Sequence, residues 1–103
     1  VGYHEMRSAQ VMALGQNYPN PCRTETTFPL ELHQPAQVSL SLWDLSGRCV
    51  YQRQCGNWPA GAHALRVDLE GIQLPAGTYA CQVEAQADAY KALDVRQISF
   101  SGH

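Results

Sequence analysis

The stretch Val38-Ser39-Leu40-Ser41-Leu42-Trp43-Asp44-Leu45-Ser46-Gly47-Arg48 alternates apolar and polar residues and then breaks. Val38, Leu40 and Leu42 recur with period two against Ser39 and Ser41, which is the signature of a half-buried strand. Asp44 to Arg48 is turn chemistry. Gly47 can take a positive φ, and the Asp44 carboxylate can accept backbone N–H groups and pair with Arg48. Working outward, the same period returns. Phe28, Leu30 and Leu32 alternate with Thr27, Glu31 and His33. Leu65, Val67 and Leu69 alternate with Arg66 and Asp68, and Tyr79, Cys81, Val83 and Ala85 with Ala80, Gln82 and Glu84. Val50, between Cys49 and Tyr51, opens a further run after the Gly47 turn. A helical signal covers only Glu5 to Leu14 and ends at Gly15, while Val11 to Leu14 also reads as a short strand.

Turn signals separate these runs about every ten residues: Asn17-Tyr18-Pro19-Asn20-Pro21, Gln34-Pro35-Ala36, Trp58-Pro59-Ala60-Gly61 and Leu74-Pro75-Ala76-Gly77. The expected fold is therefore all-β, an Ig-like antiparallel β-sandwich of about seven strands. Pro29 interrupts the first long run. Because proline cannot donate to a ladder, that strand is expected at a sheet edge, or to switch sheets there. In the last run Leu93 and Val95 share one phase, and Ile98 and Phe100 the other. This predicts a β-bulge near Arg96 or Gln97.

The chain has 103 residues, net charge −2 and 16% charged residues. That is one small domain, able to bury about 60–70% of its unfolded surface, without room for a deep cofactor cleft. Scattered basic residues argue against a nucleic-acid partner. No apolar run approaches the roughly 20 residues of a membrane span, so no membrane insertion is expected. Val1 rather than Met opens the chain, with no export signal after it, which reads as a piece of something larger. No serine stands in a Gly-x-Ser-x-Gly setting, the carboxylates are spread among turns and polar faces, and no glycine-rich loop opens a helix. An enzyme and a bound cofactor are both unexpected. The histidines His4, His33, His63 and His103 are scattered, with His33 and His63 in polar phases, so no metal site is expected.

Gln16-Asn17-Tyr18-Pro19-Asn20-Pro21, the strand and turn through Arg48, and Leu74-Pro75-Ala76-Gly77-Thr78-Tyr79 together resemble the C-terminal sorting domain of type IX (Por) secretion cargo. Family members read Gln-Asn-Tyr-Pro-Asn-Pro-Phe, then an aromatic-Asp-x-x-Gly-Arg turn, then a Leu-x-x-Gly-x-Tyr strand start. A basic residue and a short strand close the pattern, matched loosely by Lys91 to Phe100. Here Cys22 stands in the place of the family's Phe, and Trp43 in that of its Tyr or Phe. The resemblance runs from about Leu14 to Phe100. It is shared in part by an Ig-like domain of flagellar hook-capping proteins.

The resemblance implies a non-catalytic secretion signal. Its cargo domain would precede it in the same chain, and its partners would be an outer-membrane translocon and a sortase-like cysteine protease that removes it and attaches the cargo to the surface. Its route would be the periplasm in transit, then the cell surface or the exterior. Residues 1–14 then read as a linker or cargo-side segment that can hold a first strand at 11–14. Residues 15–101 read as the sorting domain, and 102–103 as a tail or tag remnant. Cleavage is expected before Gly15. The recognition candidates are Asn17, Tyr18, Pro19, Asn20 and Pro21, with Tyr18 plugging one end of the sandwich, then Asp44, Gly47 and Arg48, Gly77 and Tyr79, and Lys91 and Val95 on the last strand. A buried Tyr79 needs a partner for its hydroxyl. Alternatives are a hook-capping-type assembly domain, or a carbohydrate-binding module with Trp43, Trp58 and Tyr51 as an aromatic strip.

Cys22, Cys49, Cys55 and Cys81 lack the spacing of a zinc ribbon. Cys49 and Cys55 would flank one strand, about 20 Å apart, beyond the roughly 7 Å a bridge allows. Cys22–Cys49 with Cys55–Cys81, or Cys22–Cys55 with Cys49–Cys81, stay open, with Cys81 suited to a small core hydrophobe. Export favours at least one disulfide.

Overall fold

The computed structural model describes residues 11–88 and 90–102. All seven described elements are strands: β1 (Met12–Leu14), β2 (Glu25–Leu32), β3 (Ala36–Trp43), β4 (Cys49–Trp58), β5 (Gly61–Asp68), β6 (Gly77–Ala87) and β7 (Tyr90–Phe100). They form two antiparallel sheets, β1-β2-β5 and β4-β3-β6-β7, packed as an Ig-like sandwich. Of the helix expected over Glu5–Leu14, residues 5–10 lie outside the described residues, Val11 is helical, and Met12–Leu14 is the short strand also expected there. His4, Ser8 and His103 also lie outside them.

The period-two residues build the core. Phe28, Leu30 and Leu32 of β2 face Val38, Leu40 and Leu42 of β3, joined by Leu65 and Val67 of β5 and by Cys81, Val83 and Ala85 of β6. Burying each of the larger side chains contributes about 1.5–3 kcal/mol, opposed by the entropy of ordering the chain. Tyr79 is buried at the start of β6, and its hydroxyl donates to the Pro75 carbonyl at 2.6 Å. This bond back to the chain just upstream resembles the tyrosine corner of Ig-type sandwiches.

Pro29 overturns its expectation. β2 runs unbroken through it and is the central strand of its sheet, paired with β5 from Glu25↔Asp68 to Leu32↔Gly61. The proline is tolerated because β1 ends opposite it. Gly15 N–H donates to the Pro29 carbonyl at 2.8 Å, and the return bond that an antiparallel pair would make needs the N–H that proline lacks. The approach is close: a Cβ on Gly15 would stand 3.1 Å from the Pro29 ring, which would have to give by a few tenths of an ångström.

The bulge expected near Arg96 is also absent. β7 stays in register with β6 from Ala87↔Tyr90 to Gly77↔Phe100. The phase that points inward is Ala92, Asp94, Arg96, Ile98 and Phe100, and Leu93 and Val95 point outward, 46% and 49% exposed. The assumption that apolar residues face inward created the false phase change. The register shifts lie instead on β4, between Val38/Ser39 and between Leu42/Trp43 of its partner β3.

Candidate recognition surface

Strand direction sorts the sequence motifs to the two ends of the sandwich. One end collects the start of β2, the end of β3, the start of β4, the end of β5, the start of β6 and the end of β7. Asn17–Cys22, Asp44–Arg48 and Gly77–Tyr79 all belong to that end, although they are far apart in sequence. Lys91 belongs to the other end, and Val95 to the middle of β7.

The Asn17–Pro21 segment stitches the sheets together at the motif end. Tyr18 exchanges backbone hydrogen bonds with Thr27 of β2, each 2.9 Å. Asn20 Oδ1 accepts from Ser99 N–H at 2.9 Å, and Cys22 N–H donates to the Ser99 carbonyl at 2.8 Å. Asn17 is the buried member. Its Nδ2 donates to Thr26 Oγ1 at 2.8 Å, and that hydroxyl donates to the Pro19 carbonyl at 3.0 Å. Tyr18, expected as the plug, is 58% exposed, and Pro19, Asn20 and Pro21 are exposed beside it. Its backbone is consumed by β2, which leaves the phenol outward, while the smaller amide of Asn17 fits the polar pocket of Thr26.

The Asp44 turn forms as its residues predict. Asp44 Oδ1 accepts from the N–H groups of Ser46 and Arg48, each at 3.0 Å, and from Ser46 Oγ at 2.6 Å. Arg48 Nε lies 3.4 Å from Asp44 Oδ2, and Gly47 has φ 88°. The bond from the Ser46 hydroxyl, helped by the Arg48 N–H, holds the Asp44 carboxyl below its usual range.

An arginine clasp closes each side of the sandwich. On the β7 side, Arg96 Nη2 donates to the Leu14 carbonyl at the end of β1 at 2.7 Å. Its Nη1 reaches Asp94 Oδ1 at 2.8 Å and the Val95 carbonyl at 3.0 Å. The Val95 N–H in turn donates to Asp94 Oδ1 at 2.9 Å. On the β4 side, Arg53 Nη2 donates to the Arg66 carbonyl of β5 at 2.8 Å. Neither clasp was legible in the sequence, where a charged residue next to an apolar one reads as outward.

All four cysteines are free thiols, so the disulfide favoured by the export argument is not formed in the structure. β3 stands between β4, which carries Cys49 and Cys55, and β6, which carries Cys81. Two strand spacings are roughly 10 Å, more than the roughly 7 Å a bridge spans. Cys22 lies beyond β7, farther still. Cys81 is a core residue whose burial pushes its thiol up to about 12, and burial raises that of Cys22 as well.

The aromatic strip does not assemble. Trp43 lies on the outer face, where its Nε1 donates to Ser41 Oγ at 2.9 Å. Tyr51 pairs with the buried Leu42 on the inner face, and Trp58 sits at the opposite end of β4. His63 is not a solvated polar-phase residue. It pairs across from the buried Leu30, stacks on Trp58 with ring centroids 4.9 Å apart, and bonds the Pro59 carbonyl through Nε2 at 2.7 Å. Among the described residues no three His, Cys, Asp or Glu side chains gather as a metal site would need, and no helix is long and apolar enough to cross a membrane.

The model of the secretion system C-terminal sorting domain matches this chain over residues 16–93, more than half its length. Among solved structures, the β-glucuronidase of Parabacteroides merdae is similar with a TM-score of 0.58 at 13% identity, over 86% of this chain and 14% of that one. A second structure of that enzyme, with glycerol in its active site, gives a TM-score of 0.55 at 11% identity over 86% and 13% of the two chains. The chain thus spans only a small part of the enzyme's length. The sulfur carrier protein SoxY of Chlorobium limicola f thiosulfatophilum has a TM-score of 0.50 at 13% identity, over 97% of this chain and 86% of that one. At such identities the likeness is one of fold. Comparison with curated proteins yields no match.

Proposed function

The chain belongs to the secretion system C-terminal sorting domain family, and from that premise we propose that it addresses its cargo through the outer face of β7. As a type IX sorting signal it is non-catalytic, works with the secretion machinery and a cargo region N-terminal to it, and leads to the cell surface or the exterior. The single observation that carries the finer reading is the exposure of Leu93 and Val95, an apolar pair on a straight strand that borders its sheet among the described residues, on a nearly neutral face. Around them on that face lie Gln82, Ser39, Ser41, Gln52 and Gln54, and its one acid, Glu84, is paired with Lys91 at 3.4 Å.

Recognition by side chains is favoured over addition of a strand to the β7 edge. The Ser99 backbone is already taken by Asn20 and Cys22, and the Val95 N–H and carbonyl by Asp94 and Arg96. Tyr18 and Arg48, exposed at the motif end, supply a second contact in this reading. The cargo passes the periplasm with this domain folded. The sortase-like cysteine protease then cuts ahead of Val11, because Val11 and Met12 are buried and a later cut would strip β1 from the sandwich. The sorting unit therefore extends to Val11 rather than starting at Gly15.

The test is a fluorescent cargo with a periplasmic export signal, fused ahead of the 103 residues in a bacterium with the type IX system. Delivery outside the cell is expected. Changing Leu93→Asp and Val95→Asp together should leave the domain folded by circular dichroism and strand the cargo in the periplasm. Undiminished delivery of that variant would sink the β7 reading, and failure of the parent fusion to leave the periplasm would sink the sorting reading itself.

A further inference from the structure

Among the described residues four strands border the two sheets, and three of them are protected. β1 is only three residues long, β4 carries two register shifts, and the β7 backbone at Val95 and Ser99 is taken by Asp94, Arg96, Asn20 and Cys22. β5 has none of these devices over residues 61–65. We propose that this edge pairs antiparallel with the same edge of a second copy of the chain, about a two-fold axis at His63. This goes beyond sorting and does not depend on it.

The direction of the free backbone groups follows from the neighbours. Gly15 and Tyr18 bond Pro29 and Thr27 on the β1 side of β2, so the backbone of Pro29 and Thr27 is turned away from β5. Their β5 partners, Ala64 and Arg66, are then turned away from β2. Arg66 agrees with this, because its carbonyl accepts from Arg53 of β4 at 2.8 Å. By the same alternation Ala62 presents its N–H and carbonyl to the open side. Among the described residues no hydrogen bond reaches the backbone of Ala62 or Ala64 there, and both residues are exposed.

Which groups are free sets the register. The Arg66 carbonyl is occupied by Arg53, and Gly61, at φ 130°, closes the turn from β4. An axis at His63 sets Ala62 against the second copy's Ala64, and Ala64 against its Ala62. Each pair then exchanges both of its backbone hydrogen bonds. An axis at Ala64 would call on the occupied Arg66, and one at Ala62 would call on Ala60, outside the strand.

The side chains suit the same axis. Directly opposed Cβ atoms stand about 4.5–5.5 Å apart, which two alanines occupy without crowding. His63 lies on the inner face, where the Trp58 ring and the Pro59 carbonyl of its own copy hold it. No lysine, proline or bulge guards residues 61–65, the devices that keep sheet edges apart. The charges of the outer face are complementary. Glu31 lies beside Ala62, and Arg66 two residues beyond Ala64. The antiparallel arrangement sets each Glu31 on the same side of the axis as the second copy's Arg66, with only alanines between them. Glu31 has no ion pair with another described residue. One strand edge is a far smaller contact than the roughly 800 Å² per partner of a stable interface, so the dimer is weak and reversible.

Sedimentation velocity of the 103-residue chain from about 5 to about 500 μM reads the association. A thiol reductant removes any dimer linked through the exposed Cys49. A monomer–dimer equilibrium with a Kd on the order of 100 μM is expected. Ala64→Pro removes an N–H that only the second copy uses, since Ala64 makes no ladder bond to β2. It should keep the circular dichroism of the parent and weaken dimerisation about tenfold or more. Ala62→Lys, at an exposed position and with the backbone intact, should do the same. Glu31→Lys should weaken it about threefold. A chain that stays monomeric at the highest concentration overturns the proposal and leaves the edge to a strand of a different protein. A dimer that keeps its Kd in folded Ala64→Pro or in Ala62→Lys uses another surface and overturns it as well.

Discussion

β4 and β7 border the same four-stranded sheet and each sends an arginine across the sandwich, yet they protect their edges in opposite ways. β4 is bent by two register shifts, exposes Gln52 and Gln54 outward, and clasps β5 with Arg53 alone. β7 is straight along β6, exposes Leu93 and Val95, and clasps β1 with an Arg96 that also neutralises Asp94 and caps the Val95 carbonyl. Bulges and inward-pointing charges are both known defences of an edge against unwanted pairing. The bulged edge cannot offer a flat surface, whereas the charge-clasped edge keeps one. That is the physical ground for proposing recognition at β7 and not at β4.

The comparison breaks most visibly if β1 is removed. Deleting residues 1–14 takes away the buried Val11, Met12 and Leu14 and the acceptor of Arg96. A loss of about 5 kcal/mol is expected, enough to unfold a domain of marginal stability. Urea denaturation of the truncated chain checks this. Full retention of the midpoint would show that the β7 side does not lean on β1.

Next come the clasps themselves. Arg96→Ala takes the ion pair from Asp94, which keeps only the Val95 N–H, and the side-chain donor from the Leu14 carbonyl, and should cost about 2–3 kcal/mol. Arg53→Ala, which gives up one carbonyl bond and a partly exposed packing contact, should cost about 1 kcal/mol. Equal or reversed costs in urea melts would remove the distinction between the edges.

Thiol labelling sharpens the contrast without a mutation. Cys49 is exposed and Cys55 half-buried on β4, whereas Cys22 and Cys81 are buried with raised thiol values. Because the thiolate is the nucleophile, a maleimide or disulfide reagent should modify Cys49 first and Cys55 more slowly, and spare Cys22 and Cys81 until unfolding. Early modification of Cys81 would mean that the β3–β6 centre opens as easily as the β4 edge.

The smallest effect is at the turn that feeds β4. The Asp44 carboxyl is held below its unfolded value by the Ser46 hydroxyl and the Arg48 N–H. Its contribution to stability is therefore present above the unfolded value of about 4 and lost as pH falls through the folded value. Asp44→Asn should flatten that part of the acid limb in urea melts between about pH 5 and pH 2. An acid limb identical to that of the parent chain would show that the turn carries no such linkage.

The amino-acid sequence by itself determined the class of fold, the core and the turns. In β2, β3, β5 and β6 period-two alternation names the same side chains that fill the core, because a strand buries every second residue whatever its partner is; in β7 it misassigned Leu93 and Val95. The Asp44-Leu45-Ser46-Gly47-Arg48 turn and the Tyr79 hydroxyl bond were likewise legible, since their partners lie within a few residues along the chain. Family membership was legible for the same reason, through the order of its short motifs.

Only the tertiary structure decided what depends on which strand ends where. Pro29 sits in a central strand because β1 stops beside it. Asp94 and Arg96 point inward because β7 lies at the rim of a thin sandwich, where a long side chain reaches from the inner face to the facing sheet's carbonyls and to solvent. Asn57, Gln37 and Gln86 form a row, and Trp43 and Trp58 part company, through the registers of β3 with β4 and β6. Hydrophobic periodicity carries no information about strand order or register between distant segments. Both are settled by which pairing lets two sheets close over one core.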